Sequence, residues 1–359
     1  MEHRTYLLII YAGFFICTAV LSFLINGLFL KFASNLGIRN TSDTIIRWSA
    51  SAKPALGGIS FYLIFLLSIA SYSIFFENTG DSVNKQILGL LAACTLAFLL
   101  GLSDDAYNTK PILKLIIQIC CGLILISTGT CMNLFSNTYL NAAFSLFWIV
   151  AMMNSINMLD NMDGITTLVS ITIIISALFI LYINKNGHTI HTIILIGVLS
   201  ALIGFLFYNW HPSKIFMGDT GSQFLGVFLA AIGIKYLWTA PDVTIIHGNI
   251  NQTKQFFVSV LTFAIPIIDT TTVVINRLRR GKSPFIGGKD HTTHNFFFMG
   301  LTEKRIALMY AAVCITNMFL SYLIVVQIKQ WGYIHVVLFS IYFLLLFYFF
   351  YAPTRRYSK

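Results

Sequence analysis

The chain has 359 residues, of which 57% are hydrophobic and 10% charged, and its mean hydropathy is +0.79. A soluble globule of that size does not need so apolar a surface, so the composition excludes an ordinary water-soluble fold. The net charge of +10 is scattered over the ends of apolar runs, which speaks for topology signals and phosphate or anionic-lipid contacts and against nucleic-acid binding.

Apolar runs of about 20 residues recur along the chain, each long enough to cross a bilayer as a helix. The first covers residues 6–30; it lacks a basic leader and a small-residue cleavage site and is read as a retained helix. A polar segment, 31–54, precedes a second span at 56–76 that opens with Pro54-Ala55-Leu56-Gly57-Gly58. The glycine pair suits either close helix packing or close approach of the backbone to a ligand. The third span, 86–103, ends on Ser103-Asp104-Asp105, and Pro111 suits the first turn of the fourth, 111–128.

The fifth span, 140–157, runs into a polar stretch that holds Asn154, Asn157, Asp160 and Asp163 within eleven residues. Carboxylates this close to hydrocarbon are costly and read as functional, and the three-residue spacing would set all four groups on one helical face. The competing reading is a solvated connector. Spans six and seven cover 164–183 and 190–208, followed by the compact polar loop Asn209–Ser222. Spans at 222–240 and 255–275 lead to the longest polar segment, 276–305, and spans at 306–326 and 333–352 complete the set. The expectation is an all-α, polytopic integral membrane protein of about eleven transmembrane helices, forming one transmembrane domain over 1–359. The six cysteines show no CxxC pair, mostly sit in apolar runs, and read as small apolar filler.

Eleven spans place the termini on opposite sides. Of the 23 Lys and Arg, only Arg4, Lys85, Lys185, Lys235, Lys254 and Lys329 fall on one set of loops; the remaining 17 fall on the other. By the positive-inside bias the richer set is cytoplasmic, the N-terminus external and the C-terminus cytoplasmic. Asp104-Asp105, the central stretch, Phe216–Ser222 and 284–294 then share the cytoplasmic face. A transporter would carry ionisable groups at mid-membrane or on both faces, so the one-sided acids point to an active site at the inner membrane surface.

Clustered carboxylates and amides with few thiols suit a hard cation, Mg²⁺ with Mn²⁺ as the alternative. Met217-Gly218-Asp219-Thr220-Gly221-Ser222 suits metal–phosphate binding at a helix start, with an ordinary helix cap as the equal alternative. Arg277, Arg279, Arg280 and Lys282 read first as inside-positive anchors. Asp290, His291 and His294 are incomplete as a zinc site and fit better as phosphate contacts, with Asp290 orienting a histidine. Asp269, inside the ninth span, is unusual; Arg277, Asn276 and water are its candidate partners.

The ordered set of Pro54-x-x-Gly57-Gly58, Asp104-Asp105, Lys114-Leu-Ile-Ile-Gln118, Asn154-x-x-Asn157-x-x-Asp160-x-x-Asp163-Gly164, Phe216-Met-Gly-Asp219-x-Gly-Ser222 and Asp290-His291-x-x-His294 resembles the polyprenyl-phosphate N-acetylhexosamine-1-phosphate transferases, over nearly the whole chain. It is closer to the GlcNAc-1-phosphate branch than to the phospho-muramoyl-pentapeptide branch, which typically carries three consecutive histidines. The resemblance implies an inner-membrane, Mg²⁺-dependent enzyme in which undecaprenyl phosphate attacks the β-phosphorus of a UDP-N-acetylhexosamine. UMP leaves, and a lipid-diphospho-sugar starts a cell-envelope glycan such as a lipopolysaccharide O-antigen. It implies Asp219 as metal ligand with Asp105 near the metal, and Asp104 and Asp105 as the acids serving the attacking phosphate. It implies Lys114 on phosphate; Asn157, Asp160 and Asp163 contacting the nucleotide and holding the loop; Asn154 and Ser222 among the substrate-binding residues; Phe216 near the uracil; and His291 and His294 over the sugar-phosphate.

The chain departs from that pattern at three places. Asn108 stands where many members carry a third acid. Asn161 replaces the first glycine of the usual Asp-Gly-x-Asp-Gly, and since asparagine tolerates positive φ the same turn is expected. Thr293 replaces the middle histidine of the usual His-x-His-His, which bears on sugar specificity. Phospho-muramoyl-pentapeptide transfer, transport of an anionic solute and a lipid-binding scaffold are the competing functions. A homodimer is compatible with the sequence.

Overall fold

A computed structural model describes residues 2–32, 53–75, 84–183, 190–238, 249–284 and 288–357, and structural statements below concern these residues. The basic positions Arg39 and Arg47, the acids Glu77 and Asp81, and Lys185 and Lys359 lie outside them. The described chain is helical and contains no strand. In order the helices are α1 (Glu2–Phe32), α2 (Gly57–Phe75), α3 (Lys85–Tyr107), α4 (Pro111–Ser127), α5 (Thr138–Leu159), α6 (Ile165–Ile183), α7 (Ile190–Asn209), α8 (Gly218–Ile232, continued as a π-helical turn over Gly233–Trp238), α9 (Asn249–Thr262), α10 (Ala264–Arg279), α11 (Thr292–Phe298), α12 (Glu303–Tyr322) and α13 (Tyr333–Tyr357).

Over its described residues every span expected from the sequence is helical, the ninth as two helices, α9 and α10. Eight helices are long and apolar enough to cross a membrane, or nine if the bent pair α9–α10 counts as one span; Gly57–Tyr72 and Pro111–Ser127 are apolar but shorter. The chain is therefore a multi-pass membrane protein. The bend between α9 and α10 is 76°. Its cause is local: Pro266 has no N–H to offer the carbonyl of Thr262, so the ladder breaks where α9 ends.

Helix boundaries follow their sequence signals. The Asn84 side chain accepts from the Ile87 amide at the start of α3, the Asn137 side chain from Tyr139 and Leu140 at the start of α5, and the Thr302 side chain from Arg305 at the start of α12. Pro111 occupies the first turn of α4, as expected. Helix α3 ends at Asn108, the one described non-glycine residue with positive φ (52°), whose N–H reaches back to the Asp104 carbonyl 2.8 Å away. Asparagine enters the left-handed region at small cost, which accounts for Asn108. The turn expected at Asn161 is present over 160–164, with Gly164 rather than Asn161 taking positive φ, at 75°.

Helix α8 is the axis of the fold. Every residue from Thr220 to Ile232 is buried, and α3, α5 and α2 pack around it. Glycines set the approach. A Cβ on Gly58 would overlap the Gly221 backbone, one on Gly101 would overlap the Asp219 carbonyl, and one on Gly226 would lie 2.6 Å from the Met153 Cα. Small residues at membrane helix contacts allow this closeness, and of the two roles left open for Gly57-Gly58 the geometry supports packing. Gly57 and Gly58 also donate to the Phe216 and Met217 carbonyls at 3.1 and 3.0 Å. Above the glycines Tyr62, Phe65, Phe98, Phe224 and Phe228 interlock as stacked and edge-on rings.

Gly58→Ala should therefore destabilise the protein by about 1–3 kcal/mol, as overpacking does. Gly13→Ala on α1, where nothing lies within 4 Å, is the control. Thermal unfolding in detergent, read for both variants, checks this; equal midpoints would remove the close-packing account.

Candidate functional site

The polar ends of α3, α4, α5 and α8 meet at one end of the bundle. Asp104 and Asp105 are consecutive residues of the last turn of α3, so their side chains diverge by about 100° and serve different neighbours. Asp105 faces the start of α8: its two oxygens accept from the Asp219 N–H (2.9 Å), the Thr220 N–H (2.9 Å) and the Thr220 hydroxyl (2.6 Å). A carboxylate from another helix thus satisfies the free amides at the α8 N-terminus, where the dipole favours negative charge. The capping role weighed for Asp219 belongs to Asp105.

Asp219 is left to face the other way. Its Oδ1 accepts from the Asn157 amide at 2.9 Å and its Oδ2 lies 3.3 Å from the Lys114 ammonium. Lys114 also pairs with Asp104, whose other oxygen accepts from the Thr109 N–H and hydroxyl, both at 2.7 Å. One lysine is therefore shared by two carboxylates from two helices. The Asn157 amide further donates to Ser222 (2.8 Å).

A second polar layer lies one helical turn deeper. Gln118 follows Lys114 by four residues and Gln223 follows Asp219 by four, so each falls beneath its partner on the same helix. The Asn154 amide donates to Gln118 (2.8 Å), and the Gln118 amide donates to Gln223 (3.1 Å). Asn154 thus supports the site from below and does not join the carboxylates. Gln223 was not singled out from sequence, although its spacing from Asp219 mirrors that of Gln118 from Lys114.

The expectation that Asn154, Asn157, Asp160 and Asp163 share one helical face is corrected. Helix α5 stops at Leu159, and the chain turns through 160–164 before α6. Only the two asparagines are helical. Burial, and then the charges of Asp105 and Asp163, push the Asp160 carboxyl up to about 7. Asp163 turns to the loop after α7, accepting from the Ser213 N–H (2.9 Å) and hydroxyl (2.7 Å). Asn209 ties the two segments together, accepting from the Gly164 N–H (3.1 Å) and the Thr167 hydroxyl (2.8 Å) and donating to the Ile215 carbonyl (3.2 Å).

Beside Asp163 lies the Phe216 ring. The Lys53 ammonium stands 5.0 Å from its centroid and 3.9 Å from Asp163, and donates to Ser213 at 3.1 Å. A flat apolar face with a cation and a carboxylate at its rim is suited to a planar, hydrogen-bonding ring. In the sequence Lys53 is only one of the 17 basic residues on the richer set of loops. His211 Nδ1 is 3.1 Å from Asp163 and 3.2 Å from Glu303, at the start of α12. Neither residue stood out in the sequence, because their proximity joins segments 92 residues apart.

The histidine segment is held from below. Asp269, buried in α10, accepts from His291 Nδ1 (2.8 Å), the Thr292 N–H (2.9 Å) and the Thr292 hydroxyl. The Thr292 hydroxyl also meets Tyr310 (2.6 Å). Asp269 thus pairs with neither Arg277 nor Asn276, and Asp290 does not orient a histidine. Asp290 instead takes a bidentate pair from Arg277 at 2.7 and 2.8 Å, and Arg277 is buried rather than a surface anchor. Burial works to raise the Asp290 carboxyl, and the Arg277 guanidinium overrides it, holding the group below the usual carboxylate range. His294 is pushed down to about 3 by burial, then by His291, so it is neutral at ordinary pH.

The donor set fits a hard divalent cation. Asp219 offers a carboxylate that stays about one-third exposed, Asn157 and Asp104 add oxygens nearby, and no thiol takes part.

Comparison with known proteins points to the same family. The profile of glycosyl transferase family 4 matches residues 87–237. A probable undecaprenyl-phosphate N-acetylglucosaminyl 1-phosphate transferase of Bacillus subtilis is 28% identical over 265 residues, covering 71% of this chain and 69% of the relative. Phospho-N-acetylmuramoyl-pentapeptide-transferases of Streptococcus agalactiae and Streptococcus uberis are 32% and 31% identical, over 59% and 64% of this chain and 69% and 74% of the relatives. With the matched segment carrying α3 to α8 and the polar groups at their ends, the chain belongs to glycosyl transferase family 4, among the polyprenyl-phosphate hexosamine-1-phosphate transferases.

Proposed function

We propose that the protein transfers N-acetylhexosamine-1-phosphate, from UDP-GlcNAc as the favoured donor, to undecaprenyl phosphate. The observation that carries this reading is the knot of Lys114, Asp104, Asp219 and Asn157, set beside the Phe216 face. Phosphoryl transfer needs positioning and charge balance more than covalent machinery, and this end of the bundle supplies both. A phosphate oxygen of the acceptor forms a bond to the β-phosphorus of the donor, the bond to the UMP oxygen breaks, and UMP leaves with the electron pair.

Each residue then has a task. Lys114 receives the acceptor phosphate, and Asp104 holds the ammonium in place. Asp219 is the anionic ligand for Mg²⁺, which when bound neutralises the diphosphate. Asn157, held by Ser222, fixes the Asp219 carboxylate. Asp105 acts through the α8 N-terminus that it caps, and so positions Asp219. Phe216 stacks on the uracil, with Lys53 and Asp163 at its edge. Asp160 lies between that pocket and the carboxylates, and His291 and His294 cover the sugar-phosphate. The N-acetylglucosamine donor is favoured over the muramoyl-pentapeptide donor because the histidine segment lacks three consecutive histidines and the Bacillus relative carries that name. The charge bias supports a cytoplasmic site, an external N-terminus and a cytoplasmic C-terminus.

Three outcomes are expected. Asp219→Asn should stay folded yet lose activity on the order of 10²-fold or more, with partial recovery at raised Mg²⁺ or with Mn²⁺. UMP release against metal concentration measures this, and near-normal turnover with unchanged metal dependence would reject the ligand assignment. Lys114→Ala should raise the KM for polyprenyl phosphate more than that for the UDP-sugar; unaltered lipid kinetics would remove Lys114 from the acceptor site. A reporter after Lys359 should signal cytoplasmic and one at Asn249 external, and signals from a single side would overturn the orientation.

A further inference from the structure

Helix α11 has seven residues, too few to hold a position by its own hydrogen bonds. Three consecutive side chains at its start anchor it. His291 and Thr292 turn down to Asp269 of α10, and Thr292 also meets Tyr310 of α12. Thr293, fully buried, turns the other way and donates its hydroxyl to Asn161 Oδ1 at 2.6 Å. The other end of that amide donates to the Met158 carbonyl at 2.9 Å, closing the end of α5. Asn161 therefore uses both ends of its side chain to join the 160–164 turn to the histidine helix, one residue after Asp160.

Asn161 and Thr293 are 132 residues apart in sequence. They are also two of the positions at which this chain departs from the motif pattern, and the departures meet in one hydrogen bond. A glycine at 161 would have no side chain to accept it. The bond is thus a feature of this chain, and it closes the 160–164 turn against the segment that carries His291 and His294.

We propose that the Asn161–Thr293 contact is a specificity-determining latch, which holds the turn and the histidine helix together and admits N-acetylhexosamine donors that carry no substituent on the sugar O3. The inference rests on the transferase reading above. Both residues act as positioning residues: a donor with a bulky O3 group must part the two segments and break a buried hydrogen bond, whereas an unsubstituted sugar leaves it intact. The net worth of such a bond corresponds to about a five- to tenfold discrimination.

The test is UMP release by purified protein with polyprenyl phosphate and Mg²⁺, comparing UDP-GlcNAc with UDP-N-acetylmuramic acid. Thr293→Val keeps the shape and removes the hydroxyl; Thr293→Ser keeps the hydroxyl. The ratio of kcat/KM for the two donors should fall about five- to tenfold in Thr293→Val and in Asn161→Gly. It should fall no further in the double variant, because both remove one bond, and should stay near the wild-type ratio in Thr293→Ser. If Thr293→Val is not recovered folded, Asn161→Ala gives the same readout. An unchanged ratio, or single effects that multiply in the double variant, would overturn the latch while leaving the transferase reading intact. Absence of turnover by the wild-type protein with both donors would remove the reading and the latch together.

Discussion

The hydrogen bonds from the α8 N-terminus to Asp105 are the constraint on which the rest of the site depends. A helix start leaves amides with no partner inside the helix, and at the half-buried start of α8 they need one from elsewhere. Asp105 meets two of them and the Thr220 hydroxyl as well. Because that carboxylate comes from α3, it locks α3 to α8 at the level where Gly101 already lets their backbones touch. With the cap supplied from outside, Asp219 is released from the duty its position would otherwise impose. Its carboxylate can then turn outward to Lys114 and Asn157.

Charge balance sets the next level. Two acids share Lys114, and the amides of Asn157 and the backbone of Thr109 answer the remaining oxygens. Charges drawn partly out of water persist in such a cluster only where their partners are held in place. The layer of Gln118, Asn154 and Gln223 beneath it does the holding. Neutral amides can satisfy one another at that depth without adding charge to the membrane interior. The same economy appears on the other flank, where the broken α9–α10 span sets Asp269 under His291 and Thr292 and leaves Arg277 to pair with Asp290.

The sequence by itself determined the class of fold and most of the actors. Long apolar runs have one stable answer in lipid, a helix that satisfies its own backbone, so the expected spans all appear as helices. The ordered motifs were legible because Asp104, Lys114, Asn157 and Asp219 end or begin apolar runs, where polar groups have no packing reason to be. The start of α4 was equally legible at Pro111, because the preference of proline for a first helical turn is local.

Tertiary structure decided which residue does what. Asp105 and Asp219 are alike in sequence terms, a carboxylate next to a helix end; which one caps and which one faces the site depends on how α3 and α8 meet. The four polar residues at three-residue spacing looked like one helical face, until the stop at Leu159 divided them between two neighbourhoods. Lys53, Asn209, His211, Gln223 and Glu303 carried little signal, since each gains its role from a partner distant in the chain. The partner of Asp269 was out of reach for the same reason. Periodicity and capping act over a few residues and can be read along the chain, whereas a buried polar group is defined by whatever the fold brings within about 3 Å of it.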